Sequence, residues 1–166
     1  MFPPDLLARA AELIVRYRRL GLMVATAESC TGGLIAALLT EIPGSSNVVE
    51  RGLVVYSNAA KEELLGVPAS MIDRYGAVSE ETARAMAEGA LRASRADVAV
   101  SVTGIAGPDG GTEDKPVGTV FIALAAASAT AAQRHFFPFD RETFKFITSQ
   151  TALDTLRGSI LAPKSS

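Results

Sequence analysis

Cysteine and histidine each occur once in this chain, tryptophan is missing, and aromatic residues make up only 6% of it. The single thiol, Cys30, excludes an internal disulfide, and one Cys with one His cannot assemble a zinc cluster or a histidine-based catalytic metal site. A chain without disulfides fits a reducing compartment. No long run of Lys or Arg is present and the net charge is −2. Whole-domain charge therefore cannot drive nucleic-acid binding, although a local basic pocket stays open. No apolar run reaches the length of a membrane span; the longest, 120–132, is interrupted by Ser and Thr. The start, Met1-Phe-Pro-Pro-Asp5, lacks a signal-peptide core, and Asp5 and Glu12 argue against reading the Arg-rich stretch 9–19 as a transit peptide. A cytoplasmic protein is expected, with neither a membrane nor a nucleic acid as partner.

What remains is a chain of 166 residues, 48% hydrophobic and 20% charged, enough to bury the core of one domain. Leu6, Leu7, Ala10, Leu13, Ile14 and Tyr17 recur at helical spacing over 4–20, closed by Gly21. The run 22–27 reads as a strand and 31–41 as the helix after it. Strands follow at 50–56 and 97–102, and 117–127 with 130–137 reads as an antiparallel pair. Ser57-Asn58, Ser79 and Asp140 have the residue types that cap helices, predicted over 58–65, 79–94 and 140–161, and a short helical piece ends near Arg74. Strands alternating with helices predict a single three-layer α/β/α domain over 1–166, with a mostly parallel mixed sheet of about five strands. Residues 162–166 are expected to fray.

Three predicted strands end in polar residues, Ser29, Tyr56 and Thr103. If those strands are parallel, the three lie on one sheet edge, where open α/β sheets bind ligands. Ser29 sits at a strand-to-helix turn, in Ala27-Glu-Ser-Cys-Thr-Gly-Gly33. It can be a nucleophile or a plain helix cap. Gly32 and Gly33 allow a ligand close to the backbone, which a cap does not require. Lys61 falls in the first turn of the helix after Tyr56. Both the positive end of the helix dipole and burial under a ligand disfavour its ammonium form, and a neutral amine could act as base for a serine. An exposed lysine beside Glu62 and Glu63 is the equal alternative. Cys30 is a rival nucleophile, read as buried and inert. His135, flanked by Phe136 and Phe137, reads as structural. The loop 103–116 is rich in Gly and Pro and matches no Walker A or dinucleotide fingerprint. It is either a connection or a phosphate cradle, with Lys115 and Arg51 as counter-charges. Arg141 and Lys145, four apart, share a helix face.

Ala27-Glu-Ser-Cys-Thr-Gly-Gly33, Val55-Tyr-Ser-Asn-Ala-Ala-Lys61, Gly76-Ala-Val-Ser-Glu80, Thr103-Gly-Ile-Ala-Gly-Pro-Asp-Gly-Gly111 and Lys115-Pro-Val-Gly118 together resemble the CinA C-terminal domain family, over about residues 5–160. Characterised members of that family are nicotinamide-nucleotide amidohydrolases. The resemblance implies a three-layer α/β/α fold and hydrolysis of the carboxamide of nicotinamide mononucleotide to nicotinate mononucleotide and ammonia, in NAD recycling. It implies no metal or other cofactor. Ser29 would be the nucleophile, Lys61 the base and Tyr56 a further catalytic residue. Thr31, Gly32, Gly33, Thr103, Gly104, Arg141 and Lys145 would bind the substrate, with the Thr31 and Gly32 N–H groups steadying the oxyanion. Many members carry an additional N-terminal domain, so this chain resembles the stand-alone form. Where the family often shows Asp-Arg-x-x-x-Arg-Arg, this chain reads Asp140-Arg-Glu-Thr-Phe-Lys-Phe146, so one basic position is Lys and another is apolar. The alternative reading is a non-enzymatic nucleotide-binding or regulatory module linked to competence or the DNA-damage response; a third is an amidohydrolase or esterase for another substrate. A homo-oligomer, most simply a dimer, is expected, with Val48, Val49 and the apolar strand from Val117 as candidate contacts.

Overall fold

The computed structural model describes residues 1–159. Its elements run α1 (Pro4–Leu20), β1 (Val24–Glu28), α2 (Leu34–Thr40), β2 (Val49–Val54), α3 (Asn58–Leu65), α4 (Ala69–Tyr75), α5 (Glu80–Arg92), β3 (Val98–Gly104), β4 (Thr119–Ala126), β5 (Thr130–Phe136) and α6 (Arg141–Gly158). The strands form one sheet in the order β2-β1-β3-β4-β5. β1 is parallel to both β2 and β3, while β4 runs antiparallel to β3 and to β5. The mixed sheet is thus parallel in its first half, and only β4 points against the other strands. The expected end of the last helix near Leu161 and the tail 162–166 lie outside the described residues.

From β1 the chain crosses to β2 on one side through α2, and then back past β1 to β3 through α3, α4 and α5. Crossovers of one hand that step in opposite directions put their helices on opposite faces. Side-chain alternation supports this. Val24, Val98, Val100 and Val102 face a core shared with Leu6, Leu13, Tyr17, Leu38, Phe144 and Leu153 of α1, α2 and α6. Ala25, Ala27 and Ala99 face α5, packing with Met86 and Ala90. The α5 side of β1 and β3 is built from small residues, so this helix lies close there. The Ser101 hydroxyl donates to the Ala83 carbonyl at 2.6 Å across that gap. Gly89 marks a second close approach, of α5 to α3: a β-carbon there would lie 2.0 Å from the Leu65 carbonyl oxygen. Alanine normally favours a helix over glycine by about 1 kcal/mol. Here Gly89→Ala is expected to lower the melting temperature instead, because the methyl group meets backbone that cannot swing aside.

Ser57, Ser79 and Asp140 cap α3, α5 and α6, accepting from the N–H groups of Ala60, Thr82 and Thr143. Each such cap is worth about 1 kcal/mol. The α2 boundary differs from the sequence reading. Thr31, Gly32 and Gly33 precede the helix as a turn, because Gly32 (φ +60°) and Gly33 (φ +101°) are left-handed and cannot belong to a right-handed helical turn. Val48 is fully buried in the α1–α2–α6 core, and β4 is an interior strand with Val120 and Ile122 buried. Val48, Val120 and Ile122, among the apolar residues that suggested a dimer contact, are therefore used within the protomer. No described helix is long and apolar enough to cross a membrane.

Candidate active site

Because β2, β1 and β3 are parallel neighbours with β1 in the middle, their carboxyl ends form one row, and β1 is where the chain's direction across the sheet reverses. Clefts in open α/β sheets form at such a point. Ser29 follows β1 and is flanked by Val55 and Tyr56 after β2 and by Thr103 on β3. The backbone holds it from both sides. The Ser29 N–H donates to the Val102 carbonyl at 3.1 Å, and the Val55 N–H donates to the Glu28 carbonyl at 2.9 Å.

Lys61 reaches across to this serine. Its side chain is only 1% exposed, and its Nζ lies 3.1 Å from Ser29 Oγ, 3.0 Å from the Val55 carbonyl oxygen and 3.2 Å from the Tyr56 carbonyl oxygen. The reading of Lys61 as an exposed helix residue is excluded by this burial. A neutral amine has two N–H groups and one lone pair. Carbonyls can only accept, so two of the three neighbours take the N–H groups, and Ser29 is the one neighbour with a proton to give the lone pair. Burial pushes the Lys61 pKa below its ordinary value, with nearby Cys30 opposing the shift more weakly. Desolvation by burial is the largest cause of the shift.

A cavity of about 210 Å³ opens over the pair. Ser29, Cys30, Tyr56, Asn58, Lys61, Ala77, Val78, Thr103, Gly104, Ala106 and Arg141 line it. Thr103 is itself buried, and its hydroxyl donates to the Ala77 carbonyl at 2.7 Å, fixing the wall that Ala77 and Val78 form. Gly104 has no room for a side chain, since a β-carbon would come within 2.8 Å of Val120 Cβ. Arg141, the first residue of α6, donates to the Gly107 carbonyl at 2.8 Å and to the Tyr56 hydroxyl at 3.1 Å, and so spans the mouth. Arg141 also lines a neighbouring groove of about 460 Å³ with Phe2, Leu34, Lys145 and Phe146. Lys145 overhangs the turn: a β-carbon on Gly32 would lie 3.8 Å from its Nζ. The predicted shared face of Arg141 and Lys145 therefore opens beside the serine. A wider groove of about 800 Å³ along α1 is lined by Ala8, Ala11, Glu12, Val15, Arg16, Arg19 and Leu20, none of them a hydroxyl or thiol nucleophile.

Several sequence expectations land elsewhere. Arg51 pairs with Glu50 and donates to the Ala93 carbonyl. Lys115 Nζ donates to the Tyr75 carbonyl at 2.9 Å. Neither lines the cavity. Of the glycine-rich loop, Gly104 and Ala106 reach the cavity, and Gly107 offers a carbonyl, not an N–H, to Arg141. The Gly32 N–H is engaged by the Ser29 carbonyl at 3.1 Å, which closes the turn, whereas the Thr31 N–H has no acceptor among the described residues. His135 stands on β5, the sheet edge remote from β1, stacked on Phe137 with ring centroids 5.5 Å apart. Cys30 is buried, and desolvation pushes its thiol up to about 12, so almost none of it is thiolate at neutral pH. Cys30→Ala is expected to keep most of whatever activity the site has. A loss as large as that of a Ser29 variant, measured on folded protein, would transfer the nucleophile to Cys30.

Asn58, Ala77, Val78 and Ala106 were not singled out from sequence as cavity residues, although all four lie in the quoted motifs. The residue missed outright is Glu28. It is 1% exposed and turns its carboxylate back under the turn, taking bonds from the Thr31 hydroxyl (2.6 Å), the Ile35 N–H (2.8 Å), the Ala36 N–H (3.0 Å) and, at longer range, the Thr26 hydroxyl (3.4 Å). It does for α2 what the N-cap residue, Gly33, cannot do without a side chain.

Residues 7–160 match the model of the CinA C-terminal domain. The chain belongs to the CinA C-terminal domain family. It is 52% identical over 149 residues to a CinA-like protein of Geotalea uraniireducens, covering 90% of this chain and 36% of that protein. It is 56% identical over 142 residues to one of Syntrophus aciditrophicus, covering 85% and 34%. The chain thus spans about a third of the length of these CinA relatives. Among solved CinA structures, the competence/damage inducible protein CihA from Agrobacterium tumefaciens superposes with a TM-score of 0.92 at 49% identity, covering 95% of this chain and 96% of that one. A CinA superfamily protein from Escherichia coli gives 0.89 at 32% identity, covering 95% and 92%. The fold of this domain and its relation to competence/damage-inducible proteins are therefore established.

Proposed function

We propose that this CinA domain is a cytoplasmic serine amidohydrolase that removes the amide of nicotinamide mononucleotide, giving nicotinate mononucleotide and ammonia. The observation that carries the reading is the buried Lys61 amine, 3.1 Å from Ser29 Oγ and held by two backbone carbonyls. An exposed lysine or a simple capping serine needs none of this. The substrate comes from the family resemblance, whose characterised members hydrolyse this carboxamide.

In the proposed mechanism the Lys61 lone pair accepts the Ser29 proton as Oγ attacks the carboxamide carbon. The Thr31 N–H is the donor assigned to the oxyanion. Protonated Lys61 then gives its proton to the departing amine, which leaves as ammonia. Water attacks the acyl-serine with Lys61 again as base, restoring Ser29. The cavity over the dyad suits a flat aromatic amide between Ala77–Val78 and Ala106. Arg141 and Lys145, at the mouth and in the adjoining groove, suit the phosphate. Lys in place of Arg at 145 offers a point charge rather than a bidentate fork, so the phosphate is held less specifically there.

The test is ammonia release from nicotinamide mononucleotide, compared with nicotinamide, its riboside and NAD. The mononucleotide is expected to be the preferred substrate. Release from none of the four, by folded protein, would favour a nucleotide-binding or regulatory module. Preference for the riboside would remove the phosphate role of Arg141 and Lys145.

A further inference from the structure

We propose that Glu28 is a positioning residue for the Ser29–Lys61 pair, a role that rests on the dyad reading above. Its carboxylate meets donors only: two hydroxyls and two backbone N–H groups, the complement of an acceptor-only group. Through the Ile35 and Ala36 N–H groups it anchors α2, and through the Thr31 hydroxyl it anchors the turn between the nucleophile and that helix. Its own carbonyl receives the Val55 N–H, and the Val55 carbonyl in turn receives Lys61 Nζ. The bonds therefore close a ring: Glu28 to Val55, Val55 to Lys61, Lys61 to Ser29, and Ser29 back to Glu28 through the peptide. The ring runs through the main chain of residue 28; what the Glu28 carboxylate adds is the placement of the Thr31 turn and of α2 beside Ser29.

Two consequences follow. The amino end of α2 is filled by a protein carboxylate, so a substrate anion is not seated there and falls to Arg141 and Lys145. And since Glu28 does not line the cavity, its loss disturbs the chemical step rather than substrate binding. A plain helix cap behaves differently: its removal lowers stability and leaves the rate per folded molecule unchanged.

The test labels Ser29 with a fluorophosphonate and follows the adduct by intact mass, so that it is independent of substrate identity. Ser29 Oγ forms the bond to phosphorus, fluoride leaves, and Lys61 takes the serine proton. Glu28→Gln presents an amide N–H₂ where a donor already stands, and Thr31→Val deletes one anchoring bond. Both are expected to slow labelling by about tenfold or more per folded molecule, given that a misplacement of roughly 1 Å can cost about a hundredfold. Thr31→Ser, which keeps the hydroxyl that bonds Glu28, is expected to label about tenfold faster than Thr31→Val by the same reasoning. With nicotinamide mononucleotide the loss is expected in kcat and not in KM. Wild-type labelling rates in folded Glu28→Gln, or equal rates in Thr31→Val and Thr31→Ser should Glu28→Gln fail to fold, would overturn the positioning role. Labelled wild type that releases no ammonia from the mononucleotide would leave the role standing and remove only the substrate. Unlabelled wild type would overturn the dyad and this role together.

Discussion

Ser29→Ala protein is expected to fold normally and to lose at least about four orders of magnitude in ammonia release, as removal of a hydrolase nucleophile typically does. The substitution deletes one hydroxyl from the cavity side. The backbone bonds that hold position 29, its N–H to Val102 and its carbonyl from Gly32, are untouched. The fold therefore has no reason to change, and a thermal melt close to wild type is part of the expectation. The same variant separates Ser29 from Cys30, since the neighbouring thiol remains in place, buried and protonated. Residual activity within about a hundredfold of wild type would exceed what binding and oxyanion contacts alone supply to a comparable hydrolase, and would mean that another group attacks the amide.

Lys61→Met is also expected to be strongly damaging, by about 10³-fold or more, the upper part of the range for a positioned general base. Methionine fills a similar volume without a lone pair, so the loss reports the amine and not a collapsed wall. The stability of this variant carries a second signature. Burial lowers the folded-state pKa of Lys61 below the 10.5 of an unperturbed lysine. Between those two values the unfolded chain binds more protons than the folded one, and stability rises with pH there. Below the folded pKa, wild type bears the full cost of burying an ammonium; above 10.5 that cost is gone. Wild type is thus expected to gain stability relative to Lys61→Met as pH rises through this window. A difference between the two that does not change with pH would show that Lys61 titrates alike in both states.

Much of this arrangement was legible in the sequence because it depends on position along the chain. Helical spacing and short apolar runs marked the elements, and Ser57, Ser79 and Asp140 marked three helix starts. Parallel neighbours then bring Ser29, Tyr56 and Thr103 to one edge, while for Lys61, one helical turn after Ser57, an exposed position was an equal alternative that only its burial and its contact with Ser29 exclude. What was not legible depends on which groups meet across space. Glu28 was given no role, because nothing in a linear sequence shows an acid at a strand end folding under a turn to meet N–H groups seven and eight positions later. The one available signal was Gly33, an N-cap with no side chain, which left α2 in need of a cap from elsewhere. Arg51 and Lys115 failed for the mirror reason. They are near the motifs in sequence, yet Arg51 lies toward the start of β2, away from the cleft, and Lys115 bonds the end of α4. Val48 failed because an apolar residue at the entry to an edge strand can serve the core as well as an interface.

The central claim is that a neutral Lys61 activates Ser29, and the pH dependence of kcat/KM for ammonia release tests it most directly. The account predicts a tenfold rise per pH unit that levels off at a midpoint below the ordinary lysine value of about 10.4. A profile flat across that range, or a rise that survives with the same midpoint in Lys61→Met, would contradict it.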